Sequence, residues 1–286
     1  MGIYEISLAT VVGINIILAL GLNLITGFCG QISLGHAAFY GIGAYCAALL
    51  AKAGAPLPAA LVAGAAAAGS IGVIVGLTSL RVREDFLAIT TMGVGFLFLG
   101  IVRQQKVLGG ELGISAIPSH GMGKVGFLVL VLGLVVLVTA WNLLIKKSWM
   151  GFAFDAVADD EDTARVIGVD VAAYKLTAFA MGTALAGLAG GLYVYFARFI
   201  VPDDFGFITS ISVLSMVAVG GIGSVFGVLT ATALLTLMPE FLRFVSDYKL
   251  LLYGALLFGV MRFAPGGLAN ITRRTYAHIV RRRKAP

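Results

Sequence analysis

The sequence predicts an all-α integral membrane protein with about eight transmembrane segments. Hydrophobic residues make up 59% of its 286 residues and charged residues 12%, whereas about a quarter of an ordinary soluble domain is charged. The charged residues are also bunched, and most uncharged runs between them reach the length of about 20 apolar residues that crosses a bilayer. The 38 glycines agree with this class, because small residues let membrane helices approach closely.

Charged and turn residues mark the boundaries of the segments. They predict helices over residues 5–26, 32–51, 57–80, 85–102, 125–146, 172–199, 207–243 and 249–264. The first helix is expected to be retained, since no basic region precedes it and no Ala-x-Ala cleavage site follows it. These segments place residues 1–272 in one transmembrane domain and leave residues 273–286 as a basic C-terminal tail.

Basic residues in the short connections predict the orientation. Arg81, Arg83, Lys146, Lys147 and the basic tail should face the cytoplasm, because Lys and Arg are enriched in cytoplasmic loops. A nucleic-acid site is an alternative interpretation of the tail, but beside a membrane such a cluster normally fixes orientation or contacts anionic lipid headgroups. We therefore expect a cytoplasmic C-terminus, contact with membrane lipid and no nucleic-acid partner.

The segment over residues 207–243 contains a glycine-rich break. The predicted orientation requires this segment to begin and end on the outer side, which one helix cannot do. Two shorter arms that turn at Gly220-Gly221-Ile222-Gly223-Ser224 could do so, and they predict a broken or re-entrant element. A kinked helix without a functional break is the alternative. A second glycine-rich stretch at residues 27–35 hints at an inverted repeat, which is typical of transporters.

The most informative hydrophilic stretch is residues 146–175, between two membrane helices. It carries a cluster of carboxylates at Asp155, Asp159, Asp160, Glu161 and Asp162. Apolar residues recur among them at roughly helical spacing, at Phe152, Ala156, Ala164 and Ile167, and Gly168 stands where a helix would end. Glu161 and Arg165 have the i,i+4 spacing of an ion pair on a helix. This pattern predicts a helix on the cytoplasmic face that presents itself to a soluble partner. A solvated loop is the alternative, whereas a calcium site is not indicated because the regular ligand spacing is missing.

Short motifs occur in one order along nearly the whole chain. They are Gly21-Leu22-Asn23-Leu24, Gly30-Gln31-Ile32-Ser33-Leu34-Gly35-His36, Trp149-Met150-Gly151, Asp160-Glu161, Ala186-Gly187-Leu188-Ala189-Gly190, Val219-Gly220-Gly221-Ile222-Gly223-Ser224, Leu252-Tyr253-Gly254 and Pro265-Gly266-Gly267-Leu268. Together they resemble the branched-chain amino-acid ABC transporter permease family, and in particular its M-type subunits. Each motif alone is weak, but their order and coverage make the resemblance specific.

The resemblance implies one subunit of a heteromeric importer in a bacterial inner membrane, which carries branched-chain or related neutral amino acids. The implied partners are a second homologous permease, two cytoplasmic ATP-binding subunits and a periplasmic amino-acid-binding protein. The family's coupling loop corresponds here to residues 146–175. The residues expected to couple this chain to the ATPase are Gly151, Asp155, Asp159, Asp160, Glu161, Ala164 and Gly168.

Polar and glycine residues within the apolar segments are candidates for a translocation path. They are Asn23, Gln31, Ser33, His36, Thr90, Thr91, Ser212, Ser215, Gly220, Gly221 and Gly223, with Ser224 at the end of the break. For each of them, a hydrogen bond between helices is the alternative to contact with a substrate.

Enzymatic chemistry is not indicated by any motif in the sequence. The Gly-x-x-x-x-Gly-Lys-Ser/Thr phosphate loop is missing, so we expect no cofactor on this chain and expect partner subunits to bind ATP. No metal site is expected.

An ion-coupled secondary transporter of a small neutral solute is the alternative function, but such carriers ordinarily bury an acidic or basic residue deep in the membrane. Here the acids lie near segment ends, with Glu240 the nearest to an exception. An assembly protein without transport activity is a third possibility.

Overall fold

The computed structural model describes residues 2–79, 84–119, 121–241, 254 and 258–259. Over these ranges the regular structure is helical, apart from an isolated antiparallel bridge between Ile114 and Ile200. The α-helices are α1 (Ile3–Leu22), α2 (His36–Lys52), α3 (Leu57–Ser79), α4 (Glu84–Gln104), α5 (Lys124–Lys147), α6 (Trp149–Asp159), α7 (Glu161–Val166), α8 (Val171–Ala197), α9 (Phe207–Gly220) and α10 (Val225–Phe241). The predicted all-α class is confirmed.

Six helices among the described residues are long and apolar enough to cross a membrane. The shorter apolar stretch Val225–Met238 adds a further candidate. This number is roughly consistent with the prediction of about eight segments. Most of the predicted helix over residues 249–264 lies outside the described residues, as do the basic tail and the basic residues Arg81 and Arg83; residues 254 and 258–259 of that segment are helical.

The boundary between the first two helices differs from the prediction. A π-helical turn, Asn23–Phe28, extends α1, and α2 begins at His36 rather than at residue 32. In the connection between the two helices, backbone groups bond to side chains instead of to one another. Thr26 Oγ1 donates to the Gln31 carbonyl at 2.9 Å, and the Leu34 N–H donates to Thr91 Oγ1 at 3.0 Å. Such bonds compete with helix formation.

Helix α8 is the centre of the bundle and packs against α1, α2 and α3. Small residues line these contacts, and a Cβ at Gly190 would lie 2.8 Å from the Ala44 backbone nitrogen. Gly43 faces Gly187 with backbone against backbone in the same way. This packing agrees with the use of small residues for close helix approach in membranes.

The predicted break in the segment over residues 207–243 is confirmed. Helices α9 and α10 are separated by four residues, and Gly221 and Gly223 there have φ values of 102° and 79°, which favour glycine. The two helices pack against each other, and a Cβ at Gly220 would lie 2.5 Å from the Val228 Cα. The chain therefore reverses at this turn, and the alternative of one kinked helix is wrong.

Contacts between helices show which residues share an end of the bundle. Helices α1 and α5 run in the same direction, because Gly13 faces Val131 and the Nζ of Lys146 lies 5.4 Å from the centroid of the Phe28 ring. Lys146 Nζ also donates to the Gly223 carbonyl. The turn between α9 and α10 thus lies where α1 and α5 end, which we call the Lys146 end. The beginnings of α1 and α5 and the end of α8 form the opposite end.

Candidate functional site

The predicted coupling residues lie on α6 and α7 at the Lys146 end. The single helix expected here is wrong, because Asp160 interrupts it with an extended backbone (φ −163°, ψ 115°). Its carboxylate accepts a hydrogen bond from the Thr163 N–H at 2.6 Å, which makes it the N-cap of α7. Gly168, with φ +88°, follows the end of α7, as predicted for a C-terminal glycine.

The carboxylates of this region have different environments. Burial raises the pKa of the Asp155 carboxyl, an effect that nearby Lys146 partly offsets. Hydrogen bonds from Thr163 lower the pKa of Asp160. Glu161 and Arg165 form the expected i,i+4 ion pair at 3.2 Å. Asp159 is exposed, so the region presents both structural and free carboxylates.

Two predicted coupling residues are buried rather than exposed. Gly151 packs where a Cβ would lie 2.7 Å from the Lys146 carbonyl oxygen, so it permits the sharp connection from α5 to α6. Ala164 is buried as well. These two residues hold the two helices in place and do not form part of the exposed face.

A groove between α6 and the start of α8 has a volume of about 450 Å³. Ligand clefts typically measure about 300–1,000 Å³. Its walls are mostly apolar and aromatic, with Trp149, Phe152, Ala156, Ile167 and Tyr174 among them. Trp149 is 81% exposed and Phe152 is 63% exposed. An exposed aromatic patch beside acidic residues is typical of a protein interaction site.

Contacts connect α7 to the interior of the bundle. Glu161 forms an ion pair with Lys175 near the start of α8. The carbonyl oxygen of Lys175 accepts a hydrogen bond from the Gln31 side-chain amide at 2.9 Å. Gln31 in turn is held by Thr26 in the π-helical turn. A continuous set of polar contacts thus leads from the acidic region to the end of α1.

Three buried polar residues, Asn23, Ser33 and His36, lie in the chain from the end of α1 to the start of α2, and we call them the buried cluster. Asn23 Oδ1 accepts a hydrogen bond from the Gly223 N–H at 3.0 Å, and His36 Nε2 lies 3.2 Å from the Leu18 carbonyl oxygen. Asn23 Nδ2, Ser33 Oγ and His36 Nδ1 are buried without hydrogen-bond partners. Native proteins leave few such atoms unpaired, so this cluster is a candidate for a second conformation or for ligand contact.

The structure brings together only part of the predicted path. Thr91 contacts the loop before α2 through its bond to Leu34, and Ser215 is buried in α9. Thr90 and Ser212 instead donate to carbonyl groups four residues earlier in their own helices. Gly220 and Gly221 are buried at the turn, and the Gly223 N–H bonds to Asn23 of the buried cluster. Ser224 Oγ caps the following helix by accepting from the Gly227 N–H at 3.2 Å.

Sequence patterns did not identify two residues that hold the site together. Lys146 reaches the Gly223 carbonyl, and Ser210 Oγ accepts from the Ala37 N–H at 3.0 Å at the start of α2. The only sequence signal for Lys146 was its position at the end of a membrane helix, where a long basic side chain can extend along the surface. A serine within an apolar helix carries no comparable signal.

Comparison with known proteins identifies the family. Residues 5–261 match the family described as branched-chain amino acid transport system / permease component. The high-affinity branched-chain amino acid transport system permease protein LivM of Salmonella typhimurium is 35% identical over 94% of this chain and 71% of its own length. LivM of Escherichia coli K12 is 34% identical over 94% and 70%. The autoinducer 2 import system permease protein LsrC of Yersinia enterocolitica is 26% identical over 97% and 77%.

No solved structure matches the chain. The family match nevertheless covers most of the residues that the structure describes, including the acidic region, the buried cluster and the break. The family is one of transport permeases rather than of enzymes. The chain therefore belongs to the permease component family of branched-chain amino acid transport systems.

Proposed function

We propose that this chain is a permease subunit of an ABC importer for branched-chain or related neutral amino acids in a bacterial inner membrane. In this proposal it pairs with a second homologous permease, two ATP-binding subunits drive it, and a periplasmic binding protein supplies the amino acid. The LivM relatives belong to branched-chain amino acid transport systems, which supports the substrate class. The structural observation that carries the proposal is the exposed aromatic groove beside the acidic helices at the Lys146 end.

The groove suits a soluble protein partner. Trp149 and Phe152 are large side chains left in contact with solvent, and burying such anchors contributes much of the energy at a typical interface. The exposed carboxylate of Asp159 adds charge beside the groove and favours a partner with a basic surface. We assign this face to an ATP-binding subunit, which places the Lys146 end in the cytoplasm.

The polar contacts inside the bundle provide a route for coupling. Movement of α7 would act on Lys175 through its ion pair with Glu161, and then on Gln31 and the π-helical turn. π-Helical turns occur frequently at functional sites. ATP binding by the partner can shift the bundle only if it contacts the two conformations differently. We propose that the partner makes these different contacts with the exposed face of α6 and α7.

The buried cluster is the proposed gate of the translocation path. Asn23, Ser33 and His36 each keep an unpaired polar atom, and Asn23 also holds the glycine turn. A conformation that separates the α9–α10 turn from Asn23 would open space beside neutral polar groups. Such groups suit an amino acid whose side chain is uncharged, because no fixed charge there must be compensated.

An ion-coupled carrier is the competing function. Among the acidic residues of the membrane helices, the one whose side chain the structure describes is Glu5, and it is exposed. That part of the chain therefore offers no buried acid to bind a coupling cation. The two functions also predict different partners. An importer subunit forms a stable complex with ATP-binding subunits, whereas a secondary carrier works alone.

Co-purification and ATP hydrolysis test the proposal. The full chain is co-expressed with its candidate second permease and tagged ATP-binding subunits, and the complex is purified and assayed for ATPase activity. The matched variant changes Asp159, Asp160 and Glu161 to Ala. We expect the natural chain to co-purify with the ATP-binding subunits, and we expect the variant complex to have lower ATPase activity. Uptake by the chain alone, driven by an ion gradient and indifferent to ATP, would overturn the proposal.

A further inference from the structure

A second cavity lies at the opposite end of the bundle, far from the acidic helices. It has a volume of about 260 Å³ and lies between the beginnings of α1 and α5 and the end of α8. Lys124 and Arg198 line it together with Tyr195, and Ile6, Phe127 and Phe196 form its apolar walls. It shares no residue with the buried cluster or with the aromatic groove.

The two cations of this cavity have no ion pair with any carboxylate in the described part of the chain. Another arginine at this end, Arg103, is paired with Asp203 at 2.5 Å. The backbone of Arg198 has a left-handed conformation (φ 59°), and its N–H donates to the Val194 carbonyl at 2.8 Å. Lys124 is the first residue of α5, where the helix dipole adds positive potential.

Tyr195 provides the independent observation that points to a ligand. Its side chain lines the cavity, the residue is only 3% exposed, and its hydroxyl is buried without a hydrogen-bond partner. Buried hydroxyls are normally paired. The other hydroxyls of the cavity already donate elsewhere, Ser7 to the Ile3 carbonyl and Thr10 to the Ile6 carbonyl. The free donors are thus two cations and one phenol.

This donor set suits an anion that has several acceptor oxygens, and phosphate is such a group. The apolar walls indicate that the anion is attached to a hydrophobic molecule. The ends of membrane helices also lie at the level of lipid headgroups. We propose that the cavity binds the phosphate of a membrane phospholipid in the leaflet at the opposite end. The inference does not depend on the transported substrate.

The test measures phospholipid retained by the purified importer complex. The complex is isolated in mild detergent, and bound phospholipid is quantified by native mass spectrometry for the natural chain and for the Lys124→Gln/Arg198→Gln variant. The control is Lys106→Gln, which removes an exposed cation at the same end but outside the cavity. We expect the double variant to lose phospholipid affinity by about tenfold or more, the effect of losing a charge-assisted hydrogen bond, while the control keeps it.

Two further arms complete the test. Tyr195→Phe keeps the ring and removes the hydroxyl, so it should weaken phospholipid binding with unchanged thermal unfolding. The delipidated complex is also titrated separately with phosphatidylglycerol and with inorganic phosphate. Binding of phosphatidylglycerol that depends on Lys124 and Arg198 supports the proposal. Equal phospholipid retention by the natural chain and the double variant would overturn it, as would a site that takes inorganic phosphate and ignores the lipid.

Discussion

The side-chain oxygen of Asn23 accepts a hydrogen bond from the Gly223 N–H at 3.0 Å, across 200 residues of sequence. Lys146 donates to the carbonyl of the same glycine from a third helix. The turn between α9 and α10 is thus held through both backbone groups of Gly223, its N–H and its carbonyl oxygen. This arrangement explains how a glycine-rich break can be well defined where membrane helices end.

Removing the Asn23 side chain should destabilise this turn. Asn23→Ala leaves the Gly223 N–H without a partner, which costs about 1–3 kcal/mol when the group is buried. The matched control is Asn142→Ala, since that buried side chain bonds only to Val138 in its own helix. Thermal unfolding in detergent should show the larger loss for Asn23→Ala. Equal losses would contradict the role assigned to the Asn23 bond.

Glycine at position 223 is required for two reasons. Its φ is +79°, and a Cβ there would lie 2.8 Å from the Gly27 carbonyl oxygen. We expect Gly223→Ala to cost at least about 1–2 kcal/mol, the penalty of a left-handed backbone with a side chain. Gly133→Ala is the control, because a Cβ at that helical position meets nothing within 4 Å. Unfolding midpoints that shift equally in both variants would argue against a constrained turn.

The aromatic groove should contribute directly to assembly with the ATP-binding subunit. Phe152→Ala removes an exposed ring from the groove and should weaken binding by about 1–3 kcal/mol, as for a typical interface anchor. Leu112→Ala is the control, since Leu112 is 84% exposed but lies in the connection between α4 and α5 at the opposite end. The measurement is the affinity of each variant for the purified ATP-binding subunit. Normal affinity of the Phe152→Ala variant would exclude the aromatic groove as the binding surface for this subunit.

The ion pair between Glu161 and Lys175 should matter for coupling more than for assembly. Lys175→Met removes the charge that joins α7 to α8, so leucine uptake per ATP hydrolysed should fall several-fold while the complex still forms. Lys52→Met provides the same charge change at the exposed end of α2. Uptake and hydrolysis are measured on the same vesicles. Proportional loss of both activities in the Lys175 variant would indicate a general defect instead.

Acid should loosen α7 through Asp160. Hydrogen bonds from Thr163 lower the pKa of Asp160 in the folded state, so its stabilising contribution is present above the unfolded pKa of about 3.9 and is lost as pH falls through the lower folded value. Hydrogen exchange at the Thr163 amide should therefore lose protection in this acidic range. Asp160→Asn keeps a capping oxygen without the titration, so its protection should depend less on pH. An identical pH profile for the variant would contradict this assignment.

Local sequence patterns were enough to predict several features of the site. The broken segment, the pairing of Glu161 with Arg165 and the glycine after α7 all depend on residues close together in the chain. The start of α2 was placed too early because hydrophobicity continues through Ile32, whereas the helix boundary depends on Thr91 from another helix. Helix propensity and hydrophobicity carry no information on such a tertiary hydrogen bond.

The candidate site depended even more on distant contacts. The groove combines Trp149 with Tyr174 from the next membrane helix, and the lipid cavity combines Lys124 with Arg198. Each residue alone resembles an ordinary helix-end residue in the sequence. These residues form a site only because particular helix ends meet in the bundle. That packing is set mainly by small residues, and the sequence does not specify which of them pair.

Uptake of labelled leucine by the reconstituted complex is the most direct test of the central claim. The vesicles contain this chain, its second permease and the ATP-binding subunits, with the binding protein outside and ATP inside. We expect uptake that requires ATP and the binding protein and falls when Asp159, Asp160 and Glu161 are changed to Ala in a folded complex. Uptake without ATP, driven by an ion gradient through this chain alone, would contradict the account.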